Sequence, residues 1–217
     1  MIELTLHSVT ITHMKTQLQT ISDWLGSGSI NIFGRPFSGK DTQSILLADK
    51  LSGVMVSGGE LLRSHHDLAK IEAVLNSGDI VPSDFYLNLI VPYLSQESLR
   101  TKPLILNSVG RSHGEEDSII SATVTSNHPM RAVISLEISE DEVWKRFAAA
   151  EAIGDRNERA DDTRQALITR LAKYNARTVP VLDYYREHGL LISVDGVLSR
   201  DSVTAEILIN LVKRAQS

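Results

Sequence analysis

The chain has 217 residues, 42% of them hydrophobic and 23% charged, which suits one mid-sized packed domain and argues against wholesale disorder. Its 27 acidic and 22 basic side chains give a net charge of −5, so a general nucleic-acid or membrane-binding surface, which needs a basic face, is not expected. The absence of cysteine excludes disulfides, thiolate metal sites and a cysteine nucleophile.

Residues 1–29 read as an N-terminal appendage. Ile2, Leu4 and Leu6 alternate like a short strand, and Met14, Leu18, Ile21 and Leu25 recur at helical spacing. A flexible connector, Gly26-Ser-Gly-Ser29, ends it. The remainder, 30–217, alternates short apolar runs with longer amphipathic stretches. Buried strands are predicted at Ile30–Phe33, Gly53–Val56, Pro103–Leu106, Ala132–Leu136 and Leu190–Val194. Helices are predicted at Lys40–Leu51, Asp67–Asn76, Ser83–Leu94, Glu140–Phe147, Asp162–Glu187 and Ser202–Arg214. This alternation implies an α/β fold, a three-layer arrangement of a mainly parallel sheet flanked by helices. Ligands of such sheets sit at the carboxyl ends of the strands. No apolar run reaches the roughly 18 residues of a membrane span, and the first residues lack the pattern of a secretory leader. A cytoplasmic monomer is expected.

The first strand-to-helix loop is Gly34-Arg-Pro-Phe-Ser-Gly-Lys-Asp-Thr42. A loop of this length wraps its backbone N–H groups around phosphate oxygens, the helix start adds positive potential, and Lys40 adds a point charge. Gly34, Gly39 and Lys40 match the phosphate-loop spacing G-x-x-x-x-G-K-[ST] except at the last place, where Asp41 precedes Thr42.

The displaced threonine makes GRPFSGKDTQ similar to the loop of the adenylate kinase family, G-x-P-G-x-G-K-G-T-Q. Further segments resemble that family in the same order. Ser57-Gly-Gly-Glu-Leu-Leu-Arg63 resembles S-T-G-D-L-L-R, and Gly78-Asp-Ile-Val-Pro82 resembles G-x-L-V-P. Leu106-Asn-Ser-Val-Gly-Arg-Ser112 resembles L-D-G-F-P-R-T, and Arg159-Ala-Asp-Asp162 resembles R-x-D-D. Arg170-Leu-Ala-Lys-Tyr174 with Thr178-Val-Pro180, then Val194-Asp-Gly196, complete the series over residues 30–215.

The resemblance implies a nucleoside monophosphate kinase that uses Mg2+ with ATP, AMP being the first acceptor to try. Phosphoryl transfer needs in-line positioning and neutralisation of spread charge, for which guanidiniums are suited. Fourteen of the 22 basic residues are Arg. By position, Lys40 and the backbone of Phe37, Ser38, Gly39, Asp41 and Thr42 would hold the donor phosphates, with Arg146 and Leu198 at the donor nucleotide. Arg63 and Arg111 would hold the acceptor phosphate, with Gly58, Ile80, Val81 and Glu115 lining the rest of that pocket. Arg159 and Arg170 would bridge donor and acceptor. Asp161 and Asp162 would pair with basic groups of a closing lid. Thr42 and Asn107 would reach the metal through water.

The acceptor segment is expected near 57–82 and a short lid near 147–158, too short for a zinc-bearing insertion. Departures from the family pattern carry their own implications. Gly58 replaces a Thr that touches the acceptor base, and Glu115 replaces a Gln. A carboxylate only accepts hydrogen bonds, which suits a base edge with adjacent donors, such as guanine, and opposes adenine N1. Glu115 could otherwise be a solvated loop acid. Asn107 replaces an Asp, which should weaken metal binding. Phe37 stands at a usual glycine, awkward if φ is positive there. Asp41 should point away from the phosphates. Ala150 replaces a further Arg, for which Arg156 could substitute. His65, His66 and His113 read as solvated, and Trp24 and Trp144 as packing residues. Two alternatives stay open: a nucleotide-binding regulatory protein descended from such a kinase, or a kinase for a different small acceptor.

Overall fold

Five short runs rich in Ile, Val and Leu lie side by side as strands in the computed structural model, which describes residues 15–63, 80–153 and 163–217. These are β1 (Ser29–Gly34), β2 (Val54–Ser57), β3 (Leu104–Asn107), β4 (Met130–Glu137) and β5 (Leu191–Asp195). They form one sheet in the order β2-β3-β1-β4-β5, with every neighbouring pair parallel. All five predicted strands are present, each within two residues of its expected ends.

The helices are α1 (15–25), α2 (Lys40–Lys50), α3 (Gly58–Arg63), α4 (Ser83–Leu94) and α5 (Glu116–Thr125), followed by α6 (Glu140–Ile153), α7 (Arg164–Lys173), α8 (Val179–Glu187) and α9 (Arg200–Ala215). Successive strand residues point to opposite faces, so the sheet has two cores. Ile30, Ile32 and Ile134 pack with Leu47 of α2 and Ile207 and Leu211 of α9. Phe33, Leu106 and Val133 pack on the other face with Ile90 of α4, Ile119 of α5 and Tyr185 of α8. Each such side chain contributes about 1.5–3 kcal/mol by burial. Helix α1 lies inside the segment read as an appendage, yet its Ile21 and Leu25 are buried in the first of these cores.

Three helix expectations need correction. The helix expected to end at Phe147 runs to Ile153, because the following Ala-rich stretch has high helix propensity. It therefore enters the expected lid, whose residues 154–158 lie outside the described residues, as does the expected helix Asp67–Asn76. The single helix expected over 162–187 is two, joined by a π-helical turn at Tyr174–Thr178. Pro180 lacks an N–H and crowds the carbonyl four residues back, so the ladder widens by one residue at that point. Helix α5 has no counterpart among the expected elements, since its Ile, Thr and Val content hides it from a propensity reading.

Candidate active site

The residues singled out in the sequence gather at the carboxyl ends of β1, β2 and β3. The phosphate loop leaves β1 at Gly34 and returns as α2 at Lys40. A β-carbon on Gly34 would collide with the Ser38 hydroxyl, and Gly39 has φ 89°, so both positions require glycine. The turn is closed by Ser38 N–H donating to the Arg35 carbonyl at 3.1 Å. Gln43 then ties α2 to the start of α9, donating to the Arg200 carbonyl and accepting from Thr204.

Beside this loop lies a cleft of about 210 Å³ whose wall includes Lys40, Arg63, Arg111 and Arg170. Four cationic residues from α2, α3, the loop after β3 and α7 thus face one space. Arg111 is held below its ordinary value, first by burial and also by the neighbouring charges of Arg170 and Arg63, while Tyr86 and Glu115 oppose the shift. A partly buried cation repelled by its neighbours is a site that an anion stabilises.

Two contacts fix the loop that carries Arg111. Asn31, buried in β1, donates through Nδ2 to the Val109 carbonyl (2.7 Å) and accepts from Val109 N–H (3.2 Å). From the other side, the Thr178 hydroxyl donates to the Arg111 carbonyl at 2.9 Å. The sequence reading missed Asn31; a lone amide inside an otherwise apolar strand was the available signal, because a buried amide needs partners.

The same cleft is lined by Gly58, Ile80, Val81, Tyr86 and Glu115. Glu115 is only 2% exposed, which overturns its reading as a solvated loop acid. Its Oε1 accepts from the Ser83 hydroxyl (2.5 Å) and its Oε2 from Ser112 N–H (3.2 Å). Tyr86 is a second residue the sequence did not reveal. A β-carbon on Gly58 would collide with the Tyr86 hydroxyl and lie 3.3 Å from two ring carbons, so Tyr86 occupies the volume a Thr would fill. Burial, the dominant cause, pushes the Tyr86 hydroxyl well above its ordinary range and keeps it protonated.

Asp41 does not point away from the cleft, as expected, but lines it. Its Oδ1 accepts from Asn107 Nδ2 at 2.8 Å and lies 3.6 Å from Lys40 Nζ, contacts that hold the carboxylate on this side. Phe37 does adopt positive φ, 63°, and its ring packs edge-to-face on Phe147 at 5.6 Å. Arg146 is engaged within the protein: Nε donates to Glu142, Nη1 to the Phe37 carbonyl and Nη2 to the Gly196 carbonyl. It therefore joins the phosphate loop to the loop after β5, which carries the exposed Leu198. Trp24 and Trp144 both pack against apolar clusters. His113 bonds Glu116 through Nδ1 at 2.8 Å. Arg156, Arg159, Asp161, Asp162, His65 and His66 lie outside the described residues.

Cationic groups concentrated at the strand ends of a phosphate-loop sheet mark the chain as a P-loop phosphotransferase. The family model described as adenylate kinase matches residues 32–190. An adenylate kinase of Stenotrophomonas maltophilia (strain K279a) is 32% identical over 182 residues, covering 82% of this chain and 95% of that protein. One from Xylella fastidiosa (strain M23) is 32% identical, covering 83% and 97%, and one from Mycobacterium sp. (strain MCS) is 33% identical, covering 82% and 96%. The chain belongs to the adenylate kinase family and is a nucleoside monophosphate kinase.

Proposed function

We propose that this cleft transfers the γ-phosphoryl group of ATP to a nucleoside monophosphate, with AMP, the acceptor that the family implies, as the first to assay. The observation that carries the reading is the convergence of Lys40, Arg63, Arg111 and Arg170 on one space. Lys40 and the backbone of residues 37–42 hold the donor phosphates. Arg63 and Arg111 hold the acceptor phosphate. Arg170, and Arg159 when the lid closes, neutralise charge on the group in transit. An acceptor phosphate oxygen attacks the γ-phosphorus as the bond to the β-bridging oxygen breaks, so no covalent link to the protein forms.

Arg146 acts here by holding the phosphate loop against the loop after β5, where the donor nucleotide would lie. Segments 57–82 and 147–158 are the parts that close on the two nucleotides, and Asp161 and Asp162 pair with basic groups in the closed state. Closure excludes water, which protects ATP from hydrolysis.

The residues present fit a hydrated Mg2+. Asn107 donates its amide hydrogens toward Asp41, which leaves Oδ1 as a buried acceptor with no partner among the described residues. That oxygen, the Asp41 carboxylate and the Thr42 hydroxyl would hold metal-bound waters. Held there, the ion would supply positive charge that offsets the charge of the donor phosphates.

A coupled assay of the purified protein with Mg·ATP and a panel of monophosphates tests the reading. Net formation of ADP and a nucleoside diphosphate is expected with at least one of them. Failure with every acceptor would refute kinase activity and favour a nucleotide-binding role.

A further inference from the structure

We propose that the acceptor pocket selects a monophosphate whose base carries a 6-oxo and a 2-amino group, the guanine pattern, and that Glu115 and Tyr86 make the selection. The inference rests on the reading of this cleft as the acceptor side of a kinase. Its basis is the hydrogen-bonding chemistry of the base end.

Glu115 is buried in the cleft wall, and a donor reaches each of its oxygens: the Ser83 hydroxyl at Oε1 and the Ser112 N–H at Oε2. Two donors on two oxygens make both of them acceptors and fix the plane of the group. Each oxygen keeps a further lone-pair site. The pocket therefore offers two adjacent acceptors in a set orientation. Tyr86 stands in the same cleft and supplies the complementary group. Its hydroxyl accepts from Gly110 N–H at 3.4 Å, and among the described residues nothing accepts its own proton. Burial keeps that proton in place, so the hydroxyl is available as a donor.

One donor and two acceptors match guanine, whose O6 accepts while N1–H and the 2-amino group donate. Adenine reverses two places of this pattern, its 6-amino group donating where O6 accepts and its N1 accepting where N1–H donates. Its N1 is an acceptor and would face the carboxylate with lone pairs on both sides, leaving buried polar groups unpaired. Gly58 completes the arrangement, since any side chain there would collide with Tyr86 and displace its hydroxyl. Thr and Gln of the family pattern have thus been exchanged for a different set of three residues, Gly58, Tyr86 and Glu115, that fit one another.

The test uses the full chain with Mg·ATP and compares kcat/KM for GMP, IMP and AMP. GMP should exceed AMP by at least about tenfold, the discrimination expected of one well-made base-edge pairing. IMP, which lacks the 2-amino donor, should fall between them. Glu115→Gln should move the GMP-to-AMP ratio toward AMP by about tenfold or more, with the KM for ATP unchanged. Tyr86→Phe should raise the KM for GMP more than the KM for AMP, so that the GMP-to-AMP ratio of kcat/KM falls. A purely structural role for either residue would lower all acceptors together and leave the ratio fixed, which overturns its assignment.

Calorimetry on the unsubstituted protein decides the matter if a variant does not fold, because GMP should bind more tightly than AMP. AMP turnover equal to or above GMP turnover overturns the base selection and leaves the kinase reading intact. Tighter GMP binding with no transfer to any acceptor upholds the base selection and removes the kinase reading. Equal binding with no transfer removes both.

Discussion

Two sets of residues line the cleft, and they are built in different ways. Lys40, Arg63, Arg111 and Arg170, to which the proposal gives the phosphates, all stand where the adenylate kinase pattern has basic residues. In the set to which the proposal gives the base, Thr and Gln of that pattern have become Gly58 and Glu115, and Tyr86 packs against Gly58. The difference has a physical cause. Every nucleotide presents the same phosphates, so the charges that hold them cannot change without loss of the reaction. The base varies, and so can the residues that meet it, provided that each change is matched by a neighbour.

The largest expected effect comes from breaking the cationic set. Arg111→Met should lower kcat/KM by about 10²–10³, as for loss of one preorganised electrostatic contact to a transition state. Arg111→Lys should recover little of this, because an ammonium lacks the planar fork that grips two phosphate oxygens. Stability should move the other way. Burial and the charges of Arg170 and Arg63 disfavour the Arg111 guanidinium, and the loop is anchored through backbone atoms by Asn31 and Thr178. The Met variant should therefore melt no lower than the parent protein. A large drop in melting temperature would show that Arg111 holds the fold together.

The second test sharpens the claim that the base end is a matched set. Gly58→Thr restores the family residue but places a β-carbon against the Tyr86 hydroxyl. Overpacking of this kind costs about 1–3 kcal/mol. Tyr86→Val in the same chain should return most of that stability, and a double-mutant cycle from urea unfolding should give a favourable coupling of 0.5 kcal/mol or more. Additive effects would mean that the two positions are independent and that the pocket was not remodelled as a unit.

This contrast also explains what the sequence could disclose. The strands and the loop between β1 and α2 were legible because both follow local rules. Apolar runs bounded by turns mark the five strands, and Gly34, Gly39 and Lys40 are spaced by the geometry of a loop around phosphate. Arg63, Arg111 and Arg170 could be placed because their segments resemble the family in order. Tyr86 could not, since its role depends on Gly58, 28 positions earlier, and on a contact that forms only when α4 packs against α3. Asn31 is similar: its function lies in a bond to Val109, across two strands. Asp41 was misjudged because helix-dipole reasoning treats the carboxylate alone, whereas Asn107 Nδ2 draws it into the cleft. Residues whose meaning lies in a distant partner stay silent until the chain is folded.

The smallest expected effect concerns the donor side, where the sequence raised a conflict that the fold resolves by packing. Phe37 has φ 63°, a region that costs a non-glycine residue about 1–2 kcal/mol. Against this stands its edge-to-face contact with Phe147, within the cluster that includes Leu167 and Leu171 of α7. Such a ring pair contributes about 0.5–1.5 kcal/mol beyond its buried area. The two terms nearly cancel, so Phe37→Gly should change stability by only about 1 kcal/mol in either direction. Phe37→Ala should be worse by about 1 kcal/mol, because it keeps the strained φ and loses the ring. Urea unfolding of the two variants separates these contributions. If alanine proves the more stable, backbone strain is not what the Phe37 ring offsets, and its packing against α6 has to be explained by some other demand of the phosphate loop.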